Sequence, residues 1–183
     1  MKVSCLQDNL AKGLSIVGRA VSTRSTLPVL ANVLVATDNG RLKLSATNLE
    51  IVITCWVGAK VKEEGAITIP ARTLTDLVNA LPQDQVDLTL HETTQTVHVS
   101  CLRTQANIKG IDAQEFPLVP DPDKENQIRL EADVLKQMIN QVSFAAASDD
   151  ARPTLTGVST TFDGSQVLMA ATDGFRLSLR SAH

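Results

Sequence analysis

The chain has 183 residues, of which 43% are hydrophobic and 3% aromatic, so its cores must be built mainly from Leu, Val, Ile and Ala. A formal net charge of −3 argues against a strongly basic protein that holds nucleic acid by bulk electrostatics. Cys5, Cys55 and Cys101 lie too far apart for a compact zinc motif and favour free thiols in a reducing compartment. An early polar N-terminus and the lack of a long apolar run predict a cytoplasmic protein without a membrane partner.

The predicted elements begin with a strand at residues 2–6 and a helix after Gln7. The helix is indicated by apolar residues at helical spacing, namely Leu6, Leu10, Leu14, Val17 and Val21. Pro28 prevents that helix from continuing. Alternating runs on both sides of Asp38-Asn39-Gly40 predict a hairpin, residues 50–57 extend it, and residues 60–64 are expected to be a charged connection.

A second helix is predicted after Pro70, a residue suited to the first turn, and Pro82 ends it. Its apolar stripe consists of Leu74, Leu77, Val78 and Leu81. Three alternating runs follow, at residues 86–90, 97–101 and 106–111. The order of strand, helix and three strands therefore occurs twice before residue 115.

The composition changes at residues 115–123, where three prolines predict an extended linker. After it we expect a strand at residues 128–130, a third helix, a polar loop and a hairpin turning at Asp163-Gly164-Ser165, then a strand at residues 175–179. The third helix is indicated by the stripe Leu135, Met138, Ile139 and Val142. We therefore expect one domain at residues 1–122 and the first half of a second at residues 123–183.

A repeat relates the two parts. A shift of 125 residues places nine residues on identical ones without a gap: Leu10, Val17, Ala20, Pro28, Leu30, Val33, Asp38, Ala46 and Thr47 meet Leu135, Val142, Ala145, Pro153, Leu155, Val158, Asp163, Ala171 and Thr172. A repeat of domain size favours an assembly of copies over a single catalytic pocket.

The residues that could carry catalysis do not form a recognised constellation. His91, His98 and His183 are scattered and have no Ser or Cys partner at a known motif. Asp149 and Asp150 are adjacent loop residues, which more often point apart than act as a pair, and no Gly-rich phosphate loop is present. We expect no enzyme activity, no cofactor and no metal.

Six motifs carry a family resemblance: residues 26–32, the hairpin at 38–40, residues 46–50, residues 69–72, Glu115-Phe116-Pro117 and residues 171–177. In this order they resemble the bacterial DNA polymerase III β subunits, the sliding clamps. The resemblance implies an α+β DNA-clamp fold of repeated strand-helix-three-strand units, with helices on one face of antiparallel sheets. It also implies three domains per subunit and a homodimeric ring.

The function implied by the resemblance is that of a processivity factor. Such a ring encircles duplex DNA without sequence specificity and tethers the catalytic subunit of the replicative polymerase. The clamp loader is a further implied partner. This chain would be an N-terminal part of the ring. The alternative is a short clamp-derived regulatory protein that binds peptides and does not encircle DNA.

Sparse cations suit a surface that slides along phosphates, since such contacts are independent of sequence. The candidates are Lys12, Arg19, Arg24, Arg72, Lys136 and Arg152. The alternative is that they are ordinary solvated charges on amphipathic helices. The loop around Arg152 departs from the family because Asp149 and Asp150 are acidic.

The resemblance also implies a groove for short peptides with apolar anchors. The matching residues are Leu155, Thr172, Gly174, Phe175, Arg176 and Leu177. The alternative is that Leu155 and Leu177 are core residues beside a strand turn. For the dimer interface of the family, the candidates are Leu74, Val78, Ala106 and Ile108, of which Leu74 and Val78 are equally compatible with a core.

Overall fold

A computed structural model describes residues 1–22, 27–118, 128–149 and 151–183. The chain forms two compact units, Met1–Pro120 and Asp121–His183, and each is described by itself.

The first unit contains a repeated succession of strand, helix and strands. Its first half consists of β1 (Lys2–Leu6), α1 (Gln7–Val17), β2 (Asn32–Asp38), β3 (Arg41–Thr47), β4 (Val52–Val57) and β5 (Ala59–Glu63). Its second half consists of β6 (Ala66–Pro70), α2 (Ala71–Ala80), β7 (Gln85–His91), β8 (Thr96–Cys101), β9 (Thr104–Lys109) and β10 (Ile111–Asp112).

The two halves exchange strands. One five-stranded sheet has the order β5-β1-β7-β8-β9, and the other has the order β10-β6-β2-β3-β4. Every pairing is antiparallel. Each half thus gives its first and its last strand to the sheet that the other half builds, and neither half has a complete sheet alone.

Both helices pack against each other and into one core. Leu10 and Leu14 of α1 and Leu74 and Val78 of α2 are each at most 1% exposed and belong to the same apolar cluster. Gly13 lets α1 approach the sheet, because a Cβ at this position would lie 2.8 Å from Cγ2 of Val57. The central residues of the predicted stripes are therefore the buried faces of the helices, whereas Leu6, predicted in the first stripe, is 58% exposed at the end of β1.

The second unit repeats one half of the first. It contains α3 (Ala132–Val142) and a sheet ordered β11 (Ser159–Asp163), β12 (Gln166–Thr172) and β13 (Leu177–Ala182). The bounds of α3, β12 and β13 lie 125 residues after those of α1, β3 and β4. The unit has a small core of Met138, Val142, Ala145, Val167, Met169 and Ala171.

Two predictions of local structure were wrong, and a third falls only partly within the described residues. Residues 60–64, expected as a connection, lie mostly in edge strand β5, since Val61 faces the core while Lys60 and Lys62 face outwards. Residues 128–130, expected as a strand, have no regular structure. Phe116 of the expected linker is buried against Val29 and Leu30, while residues 119–123 lie outside the described part.

Candidate peptide groove and charged helix faces

The turn between β12 and β13 is held by its own side chains. Thr172 Oγ1 donates to the carbonyl of Arg176 (2.6 Å) and accepts from the amide of Gly174 (3.0 Å). Asp173 Oδ1 accepts from the amides of Phe175 (2.9 Å) and Arg176 (3.0 Å). These backbone hydrogen bonds, assisted by the Arg176 guanidinium, hold the pKa of the Asp173 carboxyl below its usual range. The ionised carboxylate therefore stabilises this turn.

A depression of about 180 Å³ lies next to this turn. Its lining consists of Thr154, Leu155, Gly157, Ser159, Ala170, Ala171, Thr172 and Leu177. Leu177 is 69% exposed and Leu155 is half-buried, so both present apolar surface to a ligand. The small side chains between them leave room for an apolar anchor.

The structure separates the six predicted groove residues into two groups. Leu155, Thr172 and Leu177 line the depression. Gly174, Phe175 and Arg176 form the turn beside it, and Phe175 is 93% exposed. The Arg176 guanidinium lies 5.8 Å from the centre of the Phe144 ring, a contact that sequence reasoning missed.

Sequence reasoning also missed the small residues of the lining. Ala170 pairs with Leu179, and Thr172 pairs with Leu177 across the two strands. This strand register brings the small residues beside Leu177. The only signal in the sequence was the alternation of β12, which does not identify the partner strand.

Arg152 lies against the same turn. Its Nη1 atom is 2.8 Å from the position that a Cβ on Gly174 would take, and Gly174 has a φ of +91°. The side chain proposed for DNA thus contacts the rim of the groove. The neighbouring Asp149 accepts a hydrogen bond from the amide of Ala151 (3.0 Å), and Asp150 lies outside the described residues.

The other candidate cations lie on helices or directly after them. Lys12 on α1, Arg19 after α1 and Lys136 on α3 are exposed. Arg72 on α2 has a 95% exposed side chain and lies 3.7 Å from the carboxylate of Asp76. A solvent-exposed pair of this kind contributes little to stability and leaves the guanidinium accessible. Arg24 lies outside the described residues.

Two of the four dimer candidates need a correction. Leu74 and Val78 are both 0% exposed in the core of the first unit, so their side chains cannot reach a second subunit without leaving that core. Ala106 and Ile108 lie on β9, the edge strand of its sheet. Of the four, these two lie where the backbone of another strand can pair, although the Ile108 side chain is itself buried in the same core at 7% exposure.

Across the described residues, no group of three or more His, Cys, Asp or Glu side chains is arranged to hold a metal ion. No helix in the same residues is both long and apolar enough to cross a lipid bilayer.

The strand exchange within the first unit, the helices packed on antiparallel sheets in both units and the 125-residue repeat define the class of α+β DNA-clamp folds. Residues 1–120 match the N-terminal domain of the DNA polymerase III beta subunit, and residues 129–183 match its central domain. The chain belongs to the DNA polymerase III beta subunit family, and the predicted fold class is confirmed.

Individual relatives agree with this assignment. The beta sliding clamp of Synechococcus elongatus is 39% identical over 181 residues, which are 98% of this chain and 48% of that protein. The clamp of Bacillus subtilis is 31% identical over 191 residues, covering 100% of this chain and 50% of that protein. The solved structure of the DNA polymerase III subunit beta from Pseudomonas aeruginosa matches with a TM-score of 0.91 and 32% identity, over 100% of this chain and 50% of that one. The chain spans about half the length of the curated relatives it matches.

Proposed function

We propose that this chain supplies the N-terminal domain (residues 1–122) and the first part of the central domain (residues 123–183) of a ring-shaped sliding clamp. The ring is a processivity factor that encircles duplex DNA and tethers a replicative polymerase, and it has no catalytic role. The observation that carries this proposal is the family match over both units. We also propose that two such subunits form a homodimeric ring and that a clamp loader places this ring on DNA.

The charged helices suit a sliding surface. Lys12, Arg72 and Lys136 are exposed, and each is the single Lys or Arg of its helix, so that no one helix carries a dense cluster of cations. Separated cations attract phosphates without fixing a register on the duplex. The formal net charge of −3 agrees with weak, mobile contacts and not with tight binding.

The depression beside Leu177 suits a short peptide with an apolar anchor. A volume of about 180 Å³ accepts one large apolar side chain, and the polar groups of the turn at residues 172–176 lie beside it. Anchors in small pockets contribute most of the affinity of such contacts. In a tethered polymerase, such a peptide links the enzyme to the ring.

The groove is tested by fluorescence polarisation with a labelled short peptide that carries Leu and Phe anchors. Leu177→Ala is expected to weaken binding at least fivefold, because it removes a wall of the depression. The matched control is Leu179→Ala, because Leu179 lies on the same strand and is 60% exposed but does not line the depression. Equal effects of the two substitutions would contradict the groove assignment.

The ring itself is tested on a subunit that extends this chain to the length of its relatives. The ring assembly should remain on circular duplex DNA and be lost when the DNA is linearised. Peptide binding without this topological retention would favour the regulatory protein that does not encircle DNA.

A further inference from the structure

The turn beside the candidate groove occurs a second time, in the first unit. Residues 47–51 lie 125 residues before the turn at residues 172–176. Thr47 Oγ1 donates to the carbonyl of Ile51 (2.8 Å) and accepts from the amide of Leu49 (2.9 Å). Leu49 has a φ of 77°, in the same left-handed region as the glycine at the equivalent position. The two turns therefore share their hydrogen bonds and their backbone conformation.

The loop on the opposite side of the groove is repeated as well. The amide of Leu30 donates to the carbonyl of Leu27 (3.1 Å), and the carbonyl of Leu30 accepts from the amide of Ser22 (3.0 Å). Leu155, which lies 125 residues later, makes both hydrogen bonds to the equivalent partners, at 3.0 and 2.9 Å. This loop and the turn together frame a first-unit groove, equivalent to the depression in the second unit.

Phe116 occupies the first-unit groove. Its side chain is 7% exposed and packs with Val29, Leu30 and Leu34. These three positions correspond to three lining residues of the depression in the second unit, namely Thr154, Leu155 and Ser159. Leu30 is 2% exposed, whereas its counterpart in the depression is half-buried. The same site is therefore covered in one unit and open in the other.

The lining explains this difference. Val29 and Leu34 in the first unit stand where Thr154 and Ser159 stand in the second. The first-unit groove is thus the more apolar of the two, and removal of this apolar surface from water favours a permanently docked Phe116.

The segment around Phe116 is held in the manner of a docked peptide. Within residues 114–118, Phe116 is the one buried residue, and Leu118 is 99% exposed. Before it, Asp112 Oδ1 accepts from the amide of Gln114 (2.9 Å) and shapes the approach to the groove. A large apolar anchor with exposed neighbours is the arrangement by which short peptides gain most of their affinity.

We propose that the first-unit groove is a second peptide site and that the chain's own Phe116 keeps it closed. A short peptide with a Phe anchor enters this groove when Phe116 is removed. Because Phe116 is tethered beside the groove, its effective concentration is on the order of millimolar or higher, and a dilute free peptide does not displace it. Of the two grooves, the one beside Leu177 is thus left open to partners.

The ligand class is that of the groove proposed beside Leu177, and Leu177→Ala in every variant keeps the test independent of that groove. The probe is a labelled peptide with the sequence of residues 112–118, and binding is measured by fluorescence polarisation. Phe116→Ala is expected to raise the affinity for this peptide by about tenfold or more over Leu177→Ala alone, because it empties the first-unit groove. A peptide with Ala in place of its Phe should show no such gain.

Leu81→Ala is the matched control in the same background. Leu81 is also a buried apolar residue of the first unit, at 6% exposure, but it belongs to the central core and not to the cluster around Phe116. The peptide should also raise the melting temperature of the Phe116→Ala variant, a measurement that detects binding even where the substitution lowers stability.

Three results would overturn the proposal. They are the absence of a gain in affinity and in melting temperature with Phe116→Ala, an equal gain with Leu81→Ala, and a gain that does not require the Phe of the peptide. Failure of the groove proposed beside Leu177 would change none of these comparisons, because Leu177→Ala is present throughout.

Discussion

The Arg152 guanidinium fills the space that a side chain on Gly174 would need, at the rim of the candidate groove. Nη1 of Arg152 lies 2.8 Å from the point where a side chain on Gly174 would begin, and the φ of Gly174 is +91°. Glycine satisfies both conditions, because it has no Cβ and adopts positive φ readily.

Gly174→Ala should therefore displace Arg152 and strain the turn. We expect a loss of about 1–2 kcal/mol in the free energy of unfolding of the second unit and weaker binding of the labelled peptide. Chemical denaturation measured by circular dichroism checks the first effect. Gly157→Ala is the control, since the space around Gly157 is open and its φ is not positive. Equal free energies of unfolding for the two variants would contradict the expected backbone strain of an alanine at position 174.

The exposed pair of Arg72 and Asp76 gives a prediction about DNA. Asp76→Asn removes a carboxylate 3.7 Å from the guanidinium and should raise the affinity of the chain for a labelled duplex about twofold at low salt. Arg72→Gln should lower the affinity. It should also reduce the slope of the logarithm of the binding constant against the logarithm of the salt concentration by about the contribution of one phosphate contact.

A control for net charge is needed in the same titration. Glu92→Gln changes the net charge of the chain as Asp76→Asn does, but Glu92 lies in the turn between β7 and β8. If both substitutions raise the affinity equally, the effect comes from total charge, and Arg72 has no specific role on the duplex.

Helices and hairpins could be predicted where their own residues, without distant partners, give a recognisable apolar spacing or turn sequence. The stripe of Leu135, Met138 and Val142 indicated α3, and Asp163-Gly164-Ser165 marked the turn between β11 and β12. The repeat also indicated which elements of the two units correspond. Because their apolar residues have the same spacing, α1 and α3 have the same length and begin 125 residues apart.

The failures were at places where distant pairing decides the structure. Residues 128–130 have the apolar pattern of a strand, but β1 is a strand because β7 and β5 lie on its two sides. Lys60 and Lys62 suggested a solvated connection, whereas pairing with β1 makes this segment an edge strand. For the groove, the family resemblance indicated Leu155 and Leu177, but the proximity of Arg152 to Gly174 depends on loop geometry that no local pattern encodes.

The thiol of Cys5 gives a prediction about alkaline pH. Burial, together with the nearby Asp87 carboxylate, raises the pKa of Cys5 from 9.0 to about 12. Between pH 9 and 12 the unfolded chain loses this proton while the folded chain keeps it. The stabilising contribution of the protonated thiol is therefore complete below pH 9 and is lost as pH rises through this window.

The measurement is urea denaturation at pH 8 and pH 10 on the unsubstituted chain and on Cys5→Ala. The free energy of unfolding should fall more steeply with pH in the unsubstituted chain, by up to about 1.4 kcal/mol per pH unit. Burial also raises the pKa of Cys101, but that contribution is common to both proteins and cancels in the comparison. Parallel pH profiles would contradict the role of Cys5.

The two units should unfold separately, and Trp56 allows their transitions to be distinguished. Trp56 is the single tryptophan of the chain, and its Nε1 donates to Asp38 (2.7 Å) within the first unit. The second unit has a much smaller core, and a small core buries too little apolar surface for high stability. We expect circular dichroism to report a first transition at lower temperature, without a change in Trp56 fluorescence, followed by a second transition that both signals report. Coincident transitions in both signals would show that the chain unfolds as one cooperative body and would contradict the independence of the units.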